Sequence, residues 1–270
     1  MINKIAIIMS IYRNDNLDNV SHAVESVLRQ SFNSFEFYIQ FDGPIKAEVE
    51  DYLSSLNDDR VHLYKRSENK GLAQSLNDLL SIVLPLKYEF IARMDADDIC
   101  SPDRFEKQLD YFGKHPSIEC LGTWAIEIDS KGNEFFRKQM PESHDDCLNL
   151  FRKRDCMIHP TVMFRRSFFE KAGLYATDTY FGEDTMMWAQ GFAAGCIFGN
   201  VPEYLYYFRL DDAFFERRRG WKHAKGIFQL RKRVNRMLGF GWKEDFYALA
   251  YATVKMMPKP ILNMIYKIAR

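Results

Sequence analysis

The 270-residue chain lacks most of the features that would place it in a specialised class. Its five cysteines (Cys100, Cys120, Cys147, Cys156, Cys196) are scattered, odd in number, and form no CxxC pair. That excludes a disulfide framework and a cysteine zinc site, and predicts a reducing, cytosolic setting. No apolar run approaches the roughly 20 residues of a membrane span; the nearest, Phe246 to Ile268, is broken by Lys255, Pro258, Lys259 and Pro260. The N-terminal run to Met9 reads as a strand without a cleavage pattern, so no signal peptide is expected. There is no GxGxxG, no Walker sequence, no internal repeat and no low-complexity linker. Net charge is also missing, with 37 basic residues against 37 acidic ones.

That zero hides a division. Residues 217–270 carry 14 Lys/Arg and 2 Asp/Glu, a net of +12, and the 216 residues before them carry −12. The split predicts a basic tail that meets an anionic membrane surface, or one that packs on the acidic body, and the two readings are compatible. Nucleic acid is not expected as a partner, because the basic residues sit among aliphatic residues and methionines rather than in a reader motif. A soft boundary is placed near Arg217. It separates a domain over 1–216 (a nucleotide half to about residue 115, an acceptor half to 216) from a tail over 217–270.

Hydrophobic residues make up 47% of the chain, enough for a substantial core, and their periodicity alternates. Lys4 to Met9, Phe35 to Phe41, Val61 to Lys65 and Tyr88 to Met94 read as strands. Asp15 to Gln30, Lys46 to Leu56 and a segment opened by Gly71 read as helices between them. This is the pattern of a mostly parallel sheet covered by helices, an α/β Rossmann-like fold. Beyond a helix at Asp103 to Gly113 the alternation becomes irregular. It predicts a strand at Cys120 to Ile128, a turn at Lys131 to Asn133, a short strand at Val162 to Arg165 and a helix at Glu183 to Ala194. Two short strands around Pro202 follow, and basic helices run from Trp221 onward.

Three predicted strands end in polar residues that a strand does not need: Ser10-Ile-Tyr12, Asp42-Gly43 and Asp95-Ala-Asp97-Asp98. Ligands of open parallel sheets bind outside the carboxyl ends of the strands, so these groups are expected to converge. Three carboxylates in four residues repel one another unless a cation neutralises them, which predicts a Mg²⁺ or Mn²⁺ site serving a diphosphate; the competing reading is an Asp-rich turn or helix cap. Asp42 either starts a turn or accepts a hydrogen bond from a base N–H. Asn69-Lys70-Gly71 precedes a helix and is a weak phosphate loop. Glu183 and Asp184 either oppose a helix dipole or supply a general base for an acceptor hydroxyl. His159 is a structural hydrogen bonder by default.

Taken in order, these motifs resemble the family 2 glycosyltransferases, inverting enzymes of the GT-A fold, over roughly residues 3 to 210. The landmarks are Ile5 to Tyr12, Ser26 to Ser31, Asp42-Gly43, Asn69 to Leu72, Arg93 to Asp98, Pro102 to Arg104, His159 to Phe164 and Gly182 to Asp184. The resemblance implies roles. Asp42 contacts a uracil ring, and Tyr12 with the loop after it walls the base. Asn69 and Lys70 lie on the donor side. Asp95 contacts ribose or diphosphate, Asp97 holds the metal and Asp98 supports it. Asp184 is the catalytic base, Glu183 its neighbour, and His159 lines the acceptor side. Many relatives place a His after the late Tyr-Arg. Here the run is Tyr207-Phe-Arg-Leu-Asp-Asp212, so Asp211 or Asp212 would have to stand in, or the metal has fewer protein ligands. A weaker, subfamily-level resemblance is to bacterial enzymes that assemble O-antigen or capsule repeats. It implies a UDP-sugar donor, a glycan acceptor on a lipid diphosphate, and a peripheral place on the inner membrane face. The alternatives are a sugar nucleotidylyltransferase, whose Gly-rich N-terminal loop is absent here, and a non-catalytic binding protein with a basic tail. A haloacid-type phosphatase is discounted because its acidic nucleophile follows the first strand, not the fourth.

Overall fold

The computed structural model describes residues 5–179, 181–210 and 220–257. The first four strands are β1 (Ile5–Ile11), β2 (Phe35–Phe41), β3 (Val61–Lys65) and β4 (Phe90–Asp95). They pair in parallel in the order β3-β2-β1-β4, linked by α1 (Leu17–Leu28), α2 (Ala47–Ser55) and α3 (Leu72–Val83). The apolar run of β1 is buried on both faces, as a strand inside a covered sheet requires. Its side chains alternate between two cores. Ile5, Ile7, Met9 and Ile11 pack with α1 and α2 on one face, whereas Ala6 and Ile8 pack with Leu76, Leu79 and Leu80 of α3 on the other. Helix α1 starts where the Asn16 side chain accepts from Asn19 N–H at 2.9 Å, and it buries Val20, Ala23, Val24 and Val27.

The second half turns the sheet mixed. After β5 (Ile99–Cys100) and α4 (Arg104–Lys114) come β6 (Ile118–Ile128), β7 (Glu134–Lys138), α5 (His144–Phe151), β8 (Met163–Arg165), α6 (Arg166–Ala172), α7 (Glu183–Ala193) and β9 (Ile197–Arg209). Strand β8 runs antiparallel between β4 and β6, and β9 runs parallel to β6. The sheet thus reaches nine strands.

Residues 197–209 form one long strand, not the two expected around Pro202. The register explains it. Thr123 faces Val201 but Trp124 faces Tyr204, so Pro202 and Glu203 bulge out of the ladder where a missing N–H costs nothing. The sequence also gave no signal for β5, β7, α5 or α6. β7 is largely exposed, and α5 buries only Cys147 and Phe151, so neither carries a full hydrophobic period.

Helices α8 (Trp221–Met237) and α9 (Trp242–Val254) follow. Leu230 and Val234 of α8 join the second core beside Trp188. The boundary expected near Arg217 lies outside the described residues. The helix beyond it nonetheless packs on the body.

Candidate active site

In-register pairing brings the polar strand ends together. Ser10 of β1 stands between Gln40 of β2 and Asp95 of β4. One step further, Asp42 N–H donates to the Ile11 carbonyl at 2.7 Å. Tyr12 is fixed by a closed turn, its N–H donating to Asp15 Oδ2 at 2.8 Å and its carbonyl accepting from Asp15 N–H at 3.0 Å.

Asp42 is buried and engages four donors. Its carboxylate accepts from Lys70 N–H at 2.8 Å, Gly71 N–H at 3.0 Å, the Asn69 amide at 2.9 Å and the Arg66 guanidinium. Arg66 is held in turn by Asp78 and Ser75. Asp42 is therefore the hub that ties the Asn69–Gly71 loop to the end of β2. Gly43 shows why no side chain is tolerated there: its φ is +80°, and an added Cβ would lie 2.7 Å from the Asn69 backbone nitrogen. The side chains of Asn69 and Lys70 stay exposed.

Asp95, Asp97 and Asp98 offer oxygens that all lie within 4.8 Å of one another. They differ in setting. Asp95 is half-buried and paired with Arg93. Asp97 is exposed. Asp98 is fully buried; its Oδ1 accepts from Arg209 N–H at 2.6 Å, while its Oδ2 has no hydrogen-bond partner. Burial, followed by the charges of Asp97 and Asp95, pushes the Asp98 carboxyl well above the usual carboxylate range. An orphaned, buried carboxylate oxygen beside two more carboxylates is a donor set that a hard divalent cation fits.

Residues to which the sequence assigned no role hold this cluster. Arg209 binds the Asp97 carbonyl through Nε at 2.9 Å as well as Asp98 through its N–H. Strand β5 turns the chain after the acidic residues back onto Tyr206 and Tyr207. Arg104, fully buried, donates to the Arg93 carbonyl at 3.0 Å and lies over the Tyr206 ring. Tyr206 in turn accepts from Asp95 N–H at 3.3 Å. Asp15 is the other addition. Burial pushes its carboxyl up to about 7, with Asp97 and Asp95 adding to the rise, which puts it within the field of the acidic group. A Tyr-x-x-Asp spacing directly after a strand was the only signal for it. Asp211 and Asp212, considered as extra metal ligands, lie outside the described residues.

Glu183 and Asp184 form the first turn of α7 and are half-buried. Asp184 Oδ1 accepts from Thr185 N–H at 2.7 Å. Thr185 Oγ1 donates to Asp155 at 2.9 Å, and Asp155 also accepts from Arg231 of α8 at 3.0 Å. His159 is buried, with Nε2 2.9 Å from the Tyr175 hydroxyl. Burial and the Arg93 cation hold its pKa well below the usual histidine range, so it is neutral. Burial above all raises the Tyr175 hydroxyl pKa; the Arg93 cation opposes the rise, and the charges of Asp184 and Glu183 add to it.

Comparison with known proteins identifies the family and the fold. Residues 6–173 match the model of glycosyl transferase family 2. The chain is 28% identical over 264 residues to the amylovoran biosynthesis glycosyltransferase AmsE of Erwinia amylovora, covering 97% of each chain. It is 26% identical over 271 residues to the UDP-Gal:alpha-D-GlcNAc-diphosphoundecaprenol beta-1,3-galactosyltransferase of Escherichia coli, covering 98% of this chain and 95% of that one. Among solved structures, the mannosyltransferase PcManGT from Pyrobaculum calidifontis, in complex with GDP-Man and Mn²⁺, superposes with a TM-score of 0.64. That match covers 98% of this chain and 79% of the other at 14% identity, and it shows a shared GT-A fold.

Proposed function

The chain belongs to glycosyl transferase family 2, and on that premise we propose that it transfers a hexose or N-acetylhexosamine from a UDP-sugar to a glycan carried on a lipid diphosphate, in one inverting displacement. The observation that carries the donor half of this reading is the orphaned Oδ2 of Asp98 inside the three-carboxylate group at the strand ends.

Tyr12 and the loop after it wall the base. Asp42 contacts the uracil ring by exchanging its Asn69 amide for the ring N–H, and it keeps its backbone donors at Lys70 and Gly71. The exposed Lys70 ammonium faces the diphosphate. Asp95, oriented by Arg93, contacts ribose or diphosphate. Asp97 and Asp98 would hold a Mg²⁺ or Mn²⁺ ion, which would supply positive charge for the departing diphosphate.

Asp184 takes the proton from the acceptor hydroxyl as that oxygen bonds to the anomeric carbon and the bond to the diphosphate oxygen breaks. Displacement from the far face converts an α-linked donor into a β-glycoside. Glu183 stands beside the base near the sugars. His159 acts from beneath, holding Tyr175 on the acceptor side. The E. coli relative acts on a diphosphoundecaprenol-linked sugar, which supports a lipid-linked acceptor here. The +12 charge of residues 217–270 supports a position on the anionic inner face of the cell membrane. Among the described residues no helix is long and apolar enough to cross a membrane.

The test is turnover of UDP-hexoses with a GlcNAc-diphospholipid acceptor and Mn²⁺. One donor is expected to give a β-linked product. Asp184→Asn is expected to lower kcat by roughly 10²–10⁴-fold while leaving UDP binding unchanged. An α-linked product, or full activity in Asp184→Asn, would overturn the mechanism.

A further inference from the structure

The exposed apolar surface of this molecule is concentrated in one place. Of the twelve large hydrophobic residues that are exposed among the described residues, eight lie within residues 220–257. Helix α9 is apolar on two sides. Ala248 and Ala252 are buried, α9 packs on α8, and Lys255 at its end accepts from Gly220 N–H at 3.1 Å. A separate, exposed side carries Trp242, Phe246, Leu249 and Thr253, at intervals of four, three and four residues, with Met256 just beyond. That spacing puts them on one stripe, on the order of 20 Å long for a 13-residue helix. Trp242 is 76% exposed, Phe246 63% and Leu249 52%. The Gly220–Lys255 bond also brings the exposed Trp221 to the Met256 end of the stripe.

The basic residues of the same region behave differently. Arg231 is buried and donates to the Phe151 carbonyl and to Asp155, both at 3.0 Å. Arg233 forms an ion pair with Asp178 at 2.8 Å, and Lys232 lies 3.8 Å from Asp245. Among the described residues, Arg231 and Arg233 thus dock α8 to the acidic body, and Lys232 faces α9. Lys225, Arg236 and Lys243 remain exposed.

We propose that α9 is a monotopic membrane-insertion helix: its Trp242–Phe246–Leu249 stripe enters the headgroup region of an anionic bilayer, and the exposed lysines beside it only attract that surface. The occupant is a lipid surface because the stripe lies within a segment of net charge +12 and combines aromatic with aliphatic residues, as interfacial helices do. The proposal rests on the reading that the acceptor is lipid-linked. It deepens that reading by naming the face that meets the membrane and by making apolar burial, not charge, the main attraction. None of these residues belongs to the donor or base machinery.

The experiment is flotation of the full chain with vesicles of phosphatidylglycerol and phosphatidylethanolamine, at low and high salt. It compares the wild type with Trp242→Glu/Phe246→Glu, whose substituted positions are already exposed. The wild type is expected to float and to remain largely bound at high salt, where surface electrostatics are screened. The double variant is expected to lose at least tenfold in binding while keeping its circular dichroism and its UDP-sugar turnover on a short-chain acceptor. The proposal is overturned if the wild type does not float, if the double variant floats as well as the wild type, or if high salt alone releases the protein. It is equally overturned if light scattering shows a lipid-free dimer that the double variant dissociates, because a second copy then covers the stripe. Vesicle binding without turnover would count against the transferase reading and leave this surface standing.

Discussion

At the scale of single residues, the site is defined by carboxylates in unequal surroundings. Asp98 is buried with one unsatisfied oxygen, Asp97 is exposed, and Asp95 is neutralised by Arg93. A cation that relieves this burial stabilises the fold, so Mn²⁺ is expected to raise the melting temperature of the wild type. It should do so much less in Asp98→Asn, measured by thermal unfolding with and without the ion. Equal shifts in the two proteins would remove Asp98 from the metal site. Asp15 adds a pH dependence. Its folded pKa of about 7 lies above the ordinary carboxylate value, so folding favours its protonated form. The stability it contributes is complete below about pH 4 and is lost as pH rises through about 7. Metal-free Asp15→Asn, whose amide oxygen can still accept from Tyr12, is therefore expected to be more stable than the wild type at pH 8, by on the order of 2 kcal/mol, and no more stable at pH 4. Urea unfolding at the two pH values measures this; a pH-independent difference would contradict it.

At the scale of elements, the proposed site lies at the carboxyl ends of β1, β2 and β4 and at the start of α7. Gly182 precedes α7 with φ +84°, and an added Cβ would lie 2.3 Å from Leu230 of α8. Gly182→Ala is expected to cost about 1–3 kcal/mol and to displace the turn holding Glu183 and Asp184, lowering kcat more than it raises donor KM. Adding Leu230→Ala should recover part of the stability. If the single variant keeps full kcat, the placement of Asp184 does not depend on this packing. Much of this arrangement was legible beforehand. The apolar runs of β1, β2 and β4 located the strands, and the polar residues following each run come together at one end of the sheet. Two things were not legible. The partners of Asp42 lie in a loop near residue 70, and no local pattern reports that four donors point at one carboxylate. Arg209 and Arg104 stood inside quoted motifs, but nothing in the sequence said what they bind. Their roles appear only when the register of β9 and the burial of α4 are known.

For the whole molecule, the division of charge is also a device of assembly. The basic segment after residue 216 does not simply trail from an acidic body: Arg231 of α8 reaches Asp155, which shares Thr185 with the turn of Asp184. Arg231 is buried but Asp155 is partly exposed, so Arg231→Met, which breaks this half-buried pair, is expected to destabilise the chain by about 1–2 kcal/mol. It should also weaken turnover through the loss of order at α7. That basic helices follow Trp221 was readable from the sequence, but the inward turn of Arg231 on α8 and the outward turn of Trp242 and Phe246 on α9 depend on docking that composition does not encode.

The account stands most directly on the donor site. Its decisive measurement is calorimetric binding of UDP to the wild type and to Asp97→Ala, with and without Mn²⁺. The prediction is tight, metal-dependent binding to the wild type that falls at least tenfold in Asp97→Ala and is as weak in metal-free wild type. Binding that ignores both the ion and the substitution, or no binding of UDP at all, would contradict the assignment of the acidic strand end as the diphosphate site.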